Sequence, residues 1–210
     1  MSIHSNLGDP VAALKESQKQ KRRAQIIEGA IKVFARKGFY HATVKDVARE
    51  AGVADGTIYL YFKNKDDLLI SLFESKMEDI LSHFRSRLSL LEDPLEKLRE
   101  FIEVYFELIE NDIELSDVFQ VELRQSSKFL KDYHNEKFME YLELIADIIT
   151  SGKDIGFFRA DLDVNITKIL VFGAIDEVAR QWILSNGKYS LKQAGQSTAY
   201  TLIHGLLSTS

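Results

Sequence analysis

The stretch from Lys45 to Leu69, "KDVAREAGVADGTIYLYFKNKDDLL", holds the side chains best suited to chemistry on a polyanion. Gly56 and Thr57 are small enough to let backbone approach the edges of bases. Tyr59 offers an apolar ring and a hydroxyl, and Tyr61 and Lys65 are placed to donate to phosphates, as is Thr43 just upstream. Phosphate contacts set register and affinity, while groups in the groove read sequence. The same residues also fit a solvated helix pair with a core tyrosine, and spacing alone does not separate the two. Asp55 counts against a phosphate partner, because a carboxylate there repels one. It suits a helix start instead, as a cap or first-turn acid.

Two short helices crossing closely, a helix-turn-helix, would position these groups. Ala48 supplies a small residue at the crossing, Gly52 tolerates the positive φ of the turn, and Val47, Val53 and Ile58 can pack the pair. Thr43 followed by Asp46 reads as a capping box opening the first of the two. The second is expected over about Asp55 to Tyr61, with its N-terminal part toward a major groove. Upstream, "AQIIEGAIKVFARKG" puts Ile27, Ala30, Ile31 and Phe34 on one helical face, stopped at Gly38 after the basic Arg36 and Lys37. Residues 1–19 show no strong pattern and are expected to be a mobile extension that adds a turn to that helix.

From Lys65 a long helix is expected to about Leu91, and Pro94 starts another in which "LEKLREFIEVYFELI" has clean helical spacing. Further helices follow over roughly 115–126, 128–151, 163–185 and 190–208. The expected fold class is therefore all-α. It comprises a three-helix head over residues 20–66 and a helical body over 67–210, with the boundary inside the long helix.

Composition narrows the function. Residues 1–65 hold twelve Lys/Arg against six Asp/Glu, whereas the whole chain has 27 against 32. A basic head on an acidic body points to a polyanion partner for the head alone. There is no cysteine, which excludes disulfides and thiolate metal sites. The first twenty residues lack a secretory apolar run, and the longest uncharged stretch, Gln193 to Ser210, is too polar to cross a membrane. A cytoplasmic chain with no membrane partner is expected. His4, His41, His83, His134 and His204 never follow a Glu by three positions, and HExxH, Gx4GK and GxGxxG are absent. No metal, cofactor or enzymatic activity is expected.

The stretch "GFYHATVKDVAREAGVADGTIYLYFKNKDDLL" resembles the N-terminal DNA-binding domain of TetR-family transcriptional repressors. The likeness covers about Arg22 to Phe73, and Gly38, Thr43, Val47, Ala48, Gly52, Val53, Gly56, Thr57, Tyr59, Phe62, Lys65 and Leu68 carry it. Ala54 departs from it, since the family often has a capping Ser there, and Asp55 is expected to take over that cap. The resemblance implies a homodimer on a palindromic double-stranded operator, with DNA contacts at Thr43, Ala54, Asp55, Gly56, Thr57, Tyr59, Tyr61, Lys63 and Lys65. It also implies a helical body that binds a small hydrophobic effector and dimerises through its last two helices. Ala174, Val178, Ala194, Ala199, Leu202 and Leu206 could form those faces or belong to ordinary core.

Phe101, Tyr105, Phe106, Phe119, Phe129, Phe138 and Phe172 are candidates to line the effector site, although aromatics at helical spacing serve equally as core. The segments "VELRQS" and "FGAIDEVARQWILSNGKYSL" are similar to those of family members that regulate fatty-acid degradation. That likeness implies a long-chain acyl-CoA effector, an apolar tunnel that includes Leu123, and cations near the CoA phosphates, for which Arg124, Lys128 and Arg180 are candidates. The alternatives are a regulator of efflux genes responding to hydrophobic drugs or other lipids, and a helical lipid-binding module that does not touch DNA.

Overall fold

A computed structural model describes residues 10–122 and 135–207, which fall into two compact units divided between Leu72 and Phe73. Helix α1 runs Pro10–Lys37 and buries Ile26, Ile27, Ala30, Ile31 and Phe34, the face expected from their spacing. Its stop is the expected one, with Gly38 at φ 75° and its N–H donating to the Phe34 carbonyl at 2.8 Å. Its start is not. Helix begins at Pro10, so residues 10–19 are part of α1 rather than a separate extension with one added turn. Proline suits a first helical position, and the residues after it are mostly good helix formers without an apolar stripe, which hides them from a periodicity search.

Helix α2 spans Val44–Glu50 and α3 spans Asp55–Ile58, with Gly52 between them at φ 64°. Val47, Ala48, Ile58 and Phe62 are buried beneath this pair. A further close approach that requires a small residue lies between α1 and the end of α2. A Cβ on Gly29 of α1 would sit 3.0 Å from the Ala51 Cβ, and the Gln25 amide donates to the Ala51 carbonyl at 2.6 Å. Helix α4 runs Lys65–Leu88, three residues short of the expected end, and its residues from Phe73 onward belong to the second unit.

In the second unit α5 is Pro94–Asn111, α6 is Ile113–Asp117 and a π-helical turn follows over Val118–Glu122. Helices α7 (Glu136–Asp154), α8 (Val164–Leu184) and α9 (Leu191–Leu206) complete it. Asp93, Asp112, Asn135, Asp163 and Ser190 each cap the helix that follows by accepting from its first turn. Helix α5 packs chiefly on α9 and α7, and α7 packs on α8. Among the described residues there is no strand, only an isolated antiparallel bridge between Phe158 and Leu207. No helix among them is long and apolar enough to cross a membrane.

Candidate functional site

In the first unit, Thr43 closes the expected capping box. Its hydroxyl oxygen accepts from the Asp46 N–H at 3.2 Å and donates to the Asp46 carboxylate at 2.8 Å. Asp46 also meets Lys37 at 2.7 Å and Arg49 at 3.2 Å. Lys37 and Thr43 together hold its carboxyl well below the usual carboxylate range. At the start of α3, Ala54 is the N-cap and makes no side-chain bond. Of the two roles expected for Asp55, cap or first-turn acid, it takes the second: it is the first helical residue, where its charge meets the helix dipole. The helix is also shorter than expected, ending at Ile58, after which turns carry the chain through Tyr61 to Phe62.

Ala54, Asp55, Gly56, Tyr59 and Lys63 are all exposed, and Thr57 and Tyr61 are half-buried beside them. A Cβ on Gly56 would meet nothing within 4 Å, so no neighbour among the described residues explains that glycine. Leu60, which sequence reasoning passed over, is 78% exposed on the same turn. An apolar side chain so presented can meet a thymine methyl group. Lys65 has a task other than the expected one. Its ammonium donates to the carbonyls of Phe39 at 2.6 Å, Ala42 at 3.0 Å and Tyr40 at 3.2 Å, and lies 4.4 Å from the Phe39 ring centre. Its three N–H donors are thus spent on the α1–α2 connection rather than on a phosphate. Burial lowers its pKa, and Asp66 offsets part of that.

The second unit holds a partly open cavity of about 940 Å³. Phe73, Met77, Ile80, His83 and Phe84 of α4 line one side, and Tyr105, Leu108 and Ile109 of α5 another. Phe119, Phe138, Tyr141 and Phe172 add four more rings. Of the expected lining residues, Tyr105, Phe119, Phe138 and Phe172 are in place. Phe101 and Phe106 are not. Phe101 is fully buried with its ring 4.5 Å from that of Phe84, the one of the two that lines the cavity, and Phe106 packs where Gly195 leaves room for it. Leu123, Arg124, Lys128 and Phe129 lie outside the described residues. Arg180 does not line the cavity either. It pairs with Glu177 one turn back at 2.6 Å, which raises its pKa.

Polar groups cluster at one part of the cavity wall. The Gln120 amide donates to the Tyr105 hydroxyl at 2.7 Å, and that hydroxyl donates to Asp176 at 3.3 Å. Burial pushes the Tyr141 hydroxyl well above its ordinary pKa, with Tyr105 and Asp176 adding to the effect. Neither Tyr141 Oη nor His83 Nε2 has a hydrogen-bond partner among the described residues. Gln120, Tyr141, Asp176 and His83 were all missed from sequence, because nothing in a single helix's pattern shows polar groups converging from four elements. An apolar ligand with a few polar atoms suits such a cavity. Among the described residues no group of three His, Cys, Asp or Glu could hold a metal ion.

On the outer face of α8, Ile166, Ile169 and Leu170 are each more than half exposed, as is Tyr200 of α9. Of the faces considered for dimerisation, Ala199 and Leu206 are buried within the unit, and Ala174, Val178, Ala194 and Leu202 are half-buried.

Residues 26–72 match the family profile described as bacterial regulatory proteins, tetR family, and residues 73–205 that of the YsiA-like protein, C-terminal region. The chain is 39% identical over 189 residues to the fatty acid metabolism regulator protein of Bacillus subtilis, covering 90% of this chain and 97% of that one. The structure of FadR from Bacillus subtilis in complex with stearoyl-CoA superposes with a TM-score of 0.83 at 39% identity, over 87% of this chain and 98% of that one. The fatty acid degradation regulator FadR from Bacillus halodurans superposes with a TM-score of 0.82, also at 39% identity and over the same shares.

Proposed function

The chain belongs to the TetR family of bacterial regulatory proteins, and from that premise we propose that it is a cytoplasmic, dimeric repressor of fatty-acid-degradation genes, released from its operator by long-chain acyl-CoA. Residues 20–66 form the DNA-binding head in this reading, and residues 67–210 bind the effector and dimerise. The exposed turn around Gly56, Thr57, Tyr59 and Leu60 reads base edges, and Tyr61 and Lys63 meet phosphates. The exposed apolar stripe on α8 with Tyr200 supports the dimer, since a monomer gains nothing by leaving Ile166, Ile169 and Leu170 in water. A dimer would place two heads on the half-sites of a palindrome. The effector acts by population shift: it binds better to a form whose heads are wrongly spaced, and so lowers affinity for DNA.

The observation that carries the effector reading is the cavity. At about 940 Å³ it lies at the upper end of small-molecule sites, and most of its wall is apolar and aromatic. A methylene gains about 0.8 kcal/mol on burial. Four more carbons therefore gain about 3 kcal/mol, roughly a hundredfold in affinity, until the cavity is full. Asp79, Asp112 and Asp176 on the lining favour a second reading, a hydrophobic cation of the kind exported by efflux pumps.

Operator release with acyl-CoAs of graded chain length, beside a hydrophobic cation, decides between the two. Release that strengthens with chain length supports acyl-CoA. Release by the cation, with every acyl-CoA inactive at micromolar concentration, overturns it and leaves the family architecture intact.

A further inference from the structure

From Leu14 to Gln25 no residue of α1 is buried, and the next, Ile26, belongs to the core. The same stretch, "LKESQKQKRRAQ", carries five basic residues against the single acid Glu16. Elsewhere in the head much of the positive charge is consumed internally: Arg36 pairs with Glu50, and Lys37 and Arg49 both pair with Asp46. Lys15, Lys19 and Lys21 take part in none of those pairs. Helical geometry puts Lys15, Gln18, Lys19, Arg22 and Gln25 on one face. That face and Tyr61 line one shallow groove, so it is continuous with the turn that follows α3.

Resting on the DNA-binding reading above, we propose that this face of α1 is a second phosphate-binding surface, gripping duplex backbone beside the segment read by the turn around Gly56 to Leu60. Lys15, Lys19 and Arg22 span about 10 Å of helix, the axial length of about three phosphates on one strand. Such contacts add affinity without sequence information. The structure favours duplex DNA over a lipid surface. Leu14 and Ala24 are the only apolar residues from 14 to 25, too few to make an apolar face that could enter a headgroup layer.

The test uses the full chain with Lys15→Gln, Lys19→Gln and Arg22→Gln combined, which keeps helix propensity and length. The probes are a duplex selected from a random pool by the unaltered protein, the same duplex trimmed of its flanks, and a scrambled duplex. The slope of log Kd against log salt on the full duplex should fall by about 2.7 units per subunit, since each phosphate contributes about 0.9. Between 50 and 200 mM salt that is about a fortyfold smaller change in Kd per subunit. The ratio of selected to scrambled affinity should stay constant, and on the trimmed duplex the two proteins should converge. Lys15→Arg with Lys19→Arg should keep the slope, which separates lost charge from lost helix.

An unchanged slope in the triple Gln variant overturns this inference while leaving the repressor reading in place. So does an unchanged slope accompanied by charge-dependent binding of phosphatidylglycerol vesicles, which would assign the face to a membrane. Failure of the unaltered protein to select any duplex overturns the DNA reading itself.

Discussion

Replacing Lys65 by methionine separates two readings of one residue. Methionine keeps the length, the helix propensity and most of the packing over the Phe39 ring, but removes three N–H donors and the charge. The lost bonds run to Phe39, Ala42 and Tyr40 at 2.6, 3.0 and 3.2 Å. A hydrogen bond to a charged group contributes about 1.5–3 kcal/mol net when buried. Here the first two bonds are only partly buried and the third is exposed, so water recovers much of each acceptor. Counting the two partly buried bonds at the low end gives about 2–4 kcal/mol of lost head stability. For a unit of this size that lowers Tm by on the order of 10 °C or more.

The assay is hydrogen exchange of the α1 and α2 amides in the Lys65→Met protein, followed with heat, beside the salt slope for a selected duplex measured where the head is still folded. The structure requires faster exchange and an unchanged slope. Unaltered protection together with a slope reduced by about 0.9 would refute this reasoning and return Lys65 to a phosphate.

Asp46 makes a pH prediction. Its folded pKa is depressed below the ordinary 3.8, so its contribution is present above that value and is lost as pH falls through and below it. Asp46→Asn should therefore flatten the acid limb of head stability, read by chemical unfolding between pH 5 and pH 2; an unchanged limb would remove Asp46 from the account. On α5 and α8, Phe101→Ala and Phe172→Ala should behave differently. Phe101 is fully buried, so its loss should cost about 3–5 kcal/mol in urea titration. Phe172 is half-buried on the cavity wall, so its loss should mainly move the preferred acyl chain length upward in the release assay. Equal destabilisation with no change in preference would contradict the placement of the cavity. Gly152→Ala should be among the costliest single-methyl additions, because a Cβ there would fall 2.1 Å from the Phe158 ring, which is 1% exposed and has nowhere to go. Near-native Tm in that variant would show the α7 contact to be looser than drawn.

Local rules were enough for the stops, caps and turns that frame the head. The α1 face, the Gly38 stop, the Thr43–Asp46 box and the Gly52 turn are each fixed by residues within a few positions of one another, so periodicity and capping chemistry expose them in the sequence. Residues 14–21 of the α1 helix stayed hidden for the complementary reason. They bury no apolar face, and a helix without one leaves no period to find. Ala54 and Asp55 showed that a capping residue was missing but not how the chain would manage, and the answer is that α3 goes uncapped and stays one turn long.

What tertiary structure alone decided lies between elements. Lys65 reads as a surface cation until the carbonyls of Phe39, Tyr40 and Ala42, more than twenty positions earlier, are brought around its ammonium. Phe101, Tyr105 and Phe106 share one helix and one spacing, yet Phe84, the cavity and Gly195 sort them into three different environments. Gln120, Tyr105 and Asp176 form a chain only because the π-helical turn, α5 and α8 converge. A single sequence records the spacing within each helix. Which neighbour each face meets is settled by packing all the helices at once, and there the side chains of a binding cavity are distinguished from those of a core.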